Sequence, residues 1–345
     1  MRKWSAKVKY AIGVMLLAGD VGGTKTDLGL FAPGPERPHP TLVREFATLA
    51  FQNLGDMIDT FLHGAGDLAR DLQAASFGVA GPVADRVARM TNVPWPIAAE
   101  ELAERFDIEE THLLNDLEAM AYAVPVLEPD ELDVLQEGIA QPSGNAALIA
   151  AGTGLGEALL HNVEGRFIPS PSEGGHADFA ARTPRELELV RELTRQYGRA
   201  QVEHVISGPG IGNLYHFTHT RPCAAVGQAK RSDLPALVTS SGLERRCPQC
   251  VEALTLFVEA YGAEAGNLAL RTVATAGVYV GGGIAPQILP ALRRGPFLDA
   301  FRGKEPLIDL LATIPVSVIL NRQIGLLGAA VYANLLRLRQ TPGRA

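Results

Sequence analysis

Cysteine is scarce in this chain of 345 residues, which carries only Cys223, Cys247 and Cys250. So low and odd a count excludes a disulfide-stapled scaffold and points to a reducing, cytoplasmic setting. Cys247-Pro248-Gln249-Cys250 has the spacing of a ligand pair. No second cysteine pair or nearby histidine completes a tetrahedral set, so the thiols read as the start of the following helix. Long runs are missing too. No apolar stretch is long enough to span a bilayer. No extended Lys/Arg run occurs and the formal net charge is −7, which argues against nucleic acid as a partner. Residues 1–9 are basic, but no small-residue cleavage site follows, so no signal peptide is expected. Translation beginning at Met15 would make residues 1–14 a tail; the alternative is an extended first strand.

What is present is a 47% hydrophobic chain long enough for two domains, each with a core. Its organising stretch is Met15-Leu16-Leu17-Ala18-Gly19-Asp20-Val21-Gly22-Gly23-Thr24-Lys25-Thr26-Asp27-Leu28-Gly29-Leu30-Phe31. An apolar run reaches a carboxylate, turns on adjacent glycines and resumes with strand-like alternation, so strand, tight turn, strand is expected. Such glycines let backbone N–H groups face an anion. A P-loop is excluded, because Thr24 stands where that motif needs glycine before Lys-Thr, and because a P-loop opens a helix. The dinucleotide fingerprint fails for the same second reason.

Further on, strands are expected at 41–47, 75–80 and 87–91, and helices at 54–72 and 98–106, the grammar of an α/β domain. A short strand then ends at Asn115-Asp116 and a helix follows at once. Asp is a favoured helix N-cap, yet a carboxylate at a strand's C-terminal edge also lies where α/β sheets bind ligands. Residues 126–145 read as a polar, acidic connection.

A second pass of the same grammar follows. Ala146–Ala151 reads as a strand, Gly152-Thr153-Gly154-Leu155-Gly156 as a glycine turn and Glu157–His161 as the returning strand. This echo of the opening hairpin indicates internal duplication, and two such hairpins suit one polyphosphate. Next, Glu173-Gly174-Gly175-His176 forms a loop whose carboxylate and imidazole suit a polyol better than a metal. Helices are expected at 184–197 and 251–275, with Glu203 opening the apolar segment between them. Residues 218–249 show no clear pattern. A strand at 278–280 runs into Gly281, Gly282 and Gly283, a break that suits close approach of a base and ribose. The last strand is expected at 315–320 and a closing helix at 325–338.

In this order the motifs resemble the bacterial glucokinases of the non-ROK type, in the superfamily of hexokinase, actin and the Hsp70 ATPase domain. The resemblance rests on Gly-Asp-Val-Gly-Gly-Thr at 19–24, Leu-Asn-Asp at 114–116, Gly-Thr-Gly-Leu-Gly at 152–156, Glu-Gly-Gly-His at 173–176, Ile-Ser-Gly-Pro-Gly at 206–210 and the glycines at 281–283. It implies a duplicated actin-like ATPase (ribonuclease H-like) α/β fold with two domains and a cleft. The smaller domain would be 1–125 plus 328–345, the larger 126–327. Asp116 would accept the proton of the glucose 6-hydroxyl as it attacks the γ-phosphate of ATP. Asn115, Glu173, His176 and Glu203 would hold the other hydroxyls. Gly19, Asp20, Val21, Gly22, Gly23 and Thr24 would grip phosphates together with Gly152 and Thr153, with Asp20 reaching Mg²⁺ through water. Gly281, Gly282 and Gly283 would lie by the adenosine. A homodimer is the family's implied state.

Some residues depart from the pattern. Lys25 stands where some members carry Asn, and Glu157 where small or apolar residues are common. The Cys-rich zinc motif of ROK kinases is missing, and no helix-turn-helix is expected ahead of the first strand. Two other functions stay open on the sequence: a kinase for another hexose, such as mannose or glucosamine, or a non-catalytic sugar sensor. So do the phosphate donor (ATP, ADP or polyphosphate) and the roles of Glu157 and the Cys247/Cys250 pair.

Overall fold

The structure is a computed structural model that describes residues 13–90, 92–227 and 229–340. The question of a tail or strand in residues 1–12 lies outside the described residues, as does Thr91. The chain divides into two compact units, one formed by residues up to 126 with those from 323 onward, the other by 127–322.

In the first unit, β1 (Met15–Val21) is buried along almost its whole length, as its unbroken apolar run requires of a strand covered on both faces. It pairs antiparallel with β2 (Lys25–Ala32), which pairs antiparallel with β3 (His39–Ala47). On its other side β1 runs parallel to β4 (Leu72–Val79). A small three-stranded sheet follows, built from β5 (Val83–Ala84), β6 (Val87–Ala88) and β7 (Ile97–Ala98). The main sheet ends at β8 (Glu110–Asn115), parallel to β4, giving the order β3-β2-β1-β4-β8. One face buries Leu17, Leu28 and Phe77 against Met57, Ile58 and Phe61 of α1 (Leu54–Ala65) and Leu102 of α2 (Ala99–Phe106). The opposite face packs Leu16, Ala18 and Ala74 against Leu326, Ala329 and Ala333 of the closing helix, Ile324–Gln340.

Asn53 caps α1 by accepting from the N–H of Asp56 at 2.8 Å. The helix expected to continue to residue 72 stops at Gly66, whose φ of +58° takes the chain out of helical geometry. Val87–Thr91, expected as one strand, is a two-residue pairing instead.

The second unit repeats the topology. β9 (Leu132–Gln136) is followed by the buried β10 (Ala146–Ala151), which pairs antiparallel with β11 (Leu155–Val163). β12 (Arg166–Ser172) extends the hairpin, while β13 (Gly277–Gly281) and β14 (Val316–Ile319) run parallel to β10. The order is β12-β11-β10-β13-β14-β9, so an antiparallel hairpin followed by parallel strands occurs in both sheets. Two of these strands were hidden in stretches read as loop or connection. β12 contains Pro169 and Pro171, tolerated because it is an edge strand where a missing N–H need not break the ladder. β9 is the opposite edge, short and half polar.

Helices α4 (Pro184–Tyr197), α5 (Gly208–Thr218) and α6 (Leu234–Leu243) lead to α7 (Pro248–Thr272), whose inward residues form the core with Ala147, Ile149, Val278 and Val280. Tyr261 of α7 is fully buried. Its hydroxyl accepts from the N–H of Ala151 at 3.2 Å and donates to the carbonyl of Gly281 at 3.2 Å, tying the ends of β10 and β13 where both glycine breaks begin. No helix among the described residues is long and apolar enough to cross a membrane.

Candidate active site

In the first unit the opening turn is fixed by its own backbone and by one threonine. Gly22 N–H donates to the Lys25 carbonyl at 3.0 Å, and Thr48 Oγ1 donates to the Gly22 carbonyl at 2.7 Å. Thr48 N–H also holds the Thr24 carbonyl at 3.0 Å. Asp20 sits at the end of β1, half-buried, beside the start of the closing helix. A Cβ on Gly325 would lie 2.5 Å from Asp20 Oδ2, so glycine there leaves the room this carboxylate occupies. Burial above all, then the negative charge of Asp116 and of Asp27, push Asp20 up to about 7, against the pull of Lys25. A carboxylate so short of countercharge, at the end of a strand and near a second carboxylate, is a donor set that fits a hard divalent cation such as Mg²⁺.

The second carboxylate is placed by helix capping. Asn115 ends β8 and caps α3 (Asp116–Ala123), its Oδ1 accepting from Leu117 N–H at 2.9 Å and its Nδ2 donating to the Gly81 carbonyl at 3.2 Å. Asp116 Oδ1 accepts from the same Leu117 N–H at 2.9 Å. The N-cap is thus Asn115 and not Asp116, which is the first residue of the helix and stands at the C-terminal edge of the sheet.

In the second unit, Gly152 N–H donates to the Gly154 carbonyl, and Gly208 N–H to the Gly152 carbonyl, each at 2.8 Å. Glu203 Oε2 accepts from Leu155 N–H at 2.8 Å, while Glu203 N–H donates to the Gly175 carbonyl at 2.8 Å. One residue thus links the glycine turn to the Glu-Gly-Gly-His loop. In that loop Glu173 Oε2 and His176 Nε2 are 3.9 Å apart and both side chains are exposed. His176 Nδ1 pairs with Gln201 Oε1 at 2.9 Å; an amide oxygen only accepts, which leaves Nε2 as the imidazole's acceptor. Arg199 braces the loop through the His176 carbonyl and Asp178 Oδ1, both at 2.9 Å. Glu173, His176 and Glu203 are therefore brought together as three polar groups on one braced segment.

Beside the same glycine turn lies a cavity of about 380 Å³ lined by Gly152, Thr153, Gly208, Arg231, Ser232, Thr239, Ile284 and Gln287 among others. Of the glycines at 281–283, none lines it. Gly282 instead packs against the end of β10: it has a φ of +83°, and a Cβ there would lie 2.3 Å from the Ala151 carbonyl oxygen.

A family model described as Glucokinase matches residues 17–336. The chain belongs to the glucokinase family. It is 39% identical over 350 residues to the glucokinase of Synechocystis sp., covering 94% of this chain and 99% of that protein. The glucokinase of Nostoc punctiforme is 38% identical over 338 residues, covering 92% and 98%. Among solved structures, glucokinase from an Antarctic psychrotroph superimposes with a TM-score of 0.82 at 27% identity, covering 93% of this chain and 99% of that one. A ROK family glucokinase from Streptomyces griseus, solved with glucose and AMPPNP, shares the fold at a TM-score of 0.63 and 18% identity, covering 93% and 99%.

Within this family frame, three features escaped the sequence reading. Tyr261 gave no signal beyond being a tyrosine in an Ala/Leu-rich helix. Gln201, the partner of His176, lies 25 residues away in sequence. Arg231, Ser232 and Thr239 come from the stretch that lacked a pattern. Glu157 is buried. Its carboxylate lies under the Glu-Gly-Gly-His loop, where a Cβ on Gly174 would come within 2.2 Å of Oε2, and 3.8 Å from Arg271.

Proposed function

We infer that this chain transfers the γ-phosphoryl group of ATP to the 6-hydroxyl of glucose, with Asp116 as the general base. As the sugar oxygen attacks phosphorus, Asp116 accepts its proton, the bond to the bridging oxygen breaks and ADP leaves. Glucose 6-phosphate carries the new ester. The observation carrying this assignment is the capped strand end at 115–116, where Asn115 and Leu117 fix the Asp116 carboxylate beside the charge-starved Asp20. Asp20 would hold Mg²⁺ through water, and the ion when bound offsets the charge of the phosphate oxygens.

The other roles follow from donor and acceptor chemistry. The turns at 19–24 and 152–153 offer backbone N–H groups to phosphate oxygens. The cavity beside Gly152 and Ile284 suits the nucleoside, its apolar wall meeting the base. Glu173 and Glu203 accept from sugar hydroxyls, and His176 Nε2 accepts from another. Asn115 is assigned to a further hydroxyl of the same sugar. Hydrogen bonds to charged groups contribute about 1.5–3 kcal/mol each, so a sugar lacking one hydroxyl is discriminated against by the partner it leaves unpaired. A homodimer in the cytoplasm belongs to the same reading.

The test is Asp116→Ala in a coupled assay of ADP release. Turnover should fall about 10²–10⁴-fold, with glucose affinity by calorimetry nearly unchanged. Near-normal turnover would remove Asp116 from the role of base.

A further inference from the structure

The cysteines set aside on sequence have found their partners. His219 and Cys223, just beyond α5, lie against Cys247 and Cys250 at the start of α7, and one ligand atom from each falls within 4.8 Å of all the others. The expectation that no histidine completes the set fails because the second ligand pair comes from another helix end, not from neighbouring sequence. His219 Nε2 is 3.4 Å from Cys247 Sγ and 3.8 Å from Cys250 Sγ, and Cys223 Sγ is 3.8 Å from Cys250 Sγ.

These distances have a chemical meaning. Zinc–sulfur bonds of about 2.3 Å and zinc–nitrogen bonds of about 2.0–2.1 Å give a tetrahedron with edges of about 3.8 Å between sulfurs and about 3.6 Å between sulfur and nitrogen. The three separations given match such edges within about 0.2 Å, and the other three are no longer than 4.8 Å. They are far too long for a disulfide, whose sulfurs stand about 2.05 Å apart, and all three thiols are free. The imidazole is also set for ligation. Its Nδ1 lies 2.9 Å from the Tyr215 carbonyl, which can only accept, so Nδ1 carries the proton and Nε2 presents a lone pair to the sulfurs. The Tyr215 ring stacks on the imidazole at 4.0 Å, and its hydroxyl accepts from Cys223 N–H at 3.1 Å. Cys247 and Cys250 are buried, and no side chain takes the capping position of α7 at Cys247.

We propose that His219, Cys223, Cys247 and Cys250 form a structural zinc site of the closed, four-coordinate kind. Three thiolates and one imidazole select zinc over hard cations and leave no position for a reactant. The ion joins the end of α5 to the start of α7 and so anchors both ends of residues 224–246. That segment carries Arg231, Ser232 and Thr239, which line the cavity beside Gly152. The site therefore fixes one wall of the cavity read above as nucleotide-binding; the metal assignment itself does not depend on that reading.

The whole chain, expressed with zinc in the medium and purified without chelator, should contain about one zinc per chain, released when a mercurial titrates the thiols. Cobalt exchanged into the wild-type protein should show the intense visible bands of a tetrahedral ion with sulfur-to-cobalt charge transfer. Cys223→Ser and His219→Ala should each lose the stoichiometric metal, and metal loss should raise KM for ATP several-fold more than it lowers kcat. A zinc content below about 0.1 per chain with three reactive thiols in the native protein would overturn the proposal, as would a Cys223–Cys250 disulfide found by mass spectrometry. Stoichiometric zinc with an unaltered KM for ATP would overturn the role assigned to the segment and leave the metal site standing.

Discussion

Replacing Glu157 by glutamine should stabilise the protein at neutral and alkaline pH. Glu157 is 1% exposed and its Oε1 has no hydrogen-bond partner. The nearest cation, Arg271, stands 3.8 Å from Oε2 but is engaged more closely by Glu264, at 2.7 Å. Burial first, then the negative charge of Glu264, push Glu157 up to about 7. The sign follows directly. The folded chain keeps this proton up to about pH 7, whereas the unfolded chain releases it near 4.5. Stability from this group is complete below about pH 4.5 and is lost as the pH rises through about 7. That interval corresponds to on the order of 3 kcal/mol of strain carried at pH 8. Glutamine keeps the shape and removes the charge, and Arg271 retains Glu264. Urea unfolding and calorimetry on both proteins at pH 5, 6, 7 and 8 give the difference directly. It should be near zero at pH 5 and reach about 1–3 kcal/mol in favour of the variant at pH 8, at about 1–2 °C in Tm per kcal/mol. A difference that does not change with pH, or a less stable variant at pH 8, would refute the reasoning.

Three further outcomes are expected. If Asp20 holds Mg²⁺ as proposed, it must ionise to do so, and the Mg²⁺ concentration for half-maximal activity should be about tenfold higher at pH 6 than at pH 8, a dependence that Asp20→Asn should abolish in an initial-rate titration. Gln201→Ala removes the group that orients His176 and should raise KM for glucose about fivefold, with kcat held within about twofold, in a steady-state assay. Ala150→Asp puts a carboxylate beside the second glycine turn and should raise KM for ATP at least about tenfold relative to Ala150→Asn, which adds the same volume without the charge.

The two hairpins, the capped strand end at 115–116 and the long helix at 248–272 were legible in the residues, since each has a local cause: unbroken apolar runs, adjacent glycines, a capping Asn, helical spacing. What escaped depends on distant partners. β12 carries prolines that argue against a strand until its edge position is known. α6 has little amphipathic pattern, and its Val238, Thr239, Ser241 and Gly242 are buried all the same. The metal-type cluster joins positions 219 and 223 to 247 and 250, so no spacing rule applied to one window could assemble it. Gln201 and Tyr261 act through side-chain bonds to groups far along the chain.

Sheet register explains why a duplicated fold can serve one asymmetric reaction. Asp20 pairs with Asp27 across its hairpin and with Gly78 on the parallel side. Ala150 holds the corresponding place in the second sheet, pairing with Gly156 across its hairpin and with Gly281 on the parallel side. The position that bears a carboxylate in one copy is thus a methyl group in the other. Phosphoryl transfer needs anionic groups to hold a cation and accept a proton, and it needs a neutral, N–H-rich surface for the phosphates themselves. A carboxylate at position 150 would meet those phosphates with like charge. In the proposed site the carboxylates belong to one copy: the first sheet ends in Asp20 and Asp116, while the second ends in Ala151-Gly152-Thr153 and the glycines at 281–283. If both turns offer N–H groups to phosphate as proposed, the methyl group at position 150 leaves the carboxylates that would meet a cation to the first sheet alone.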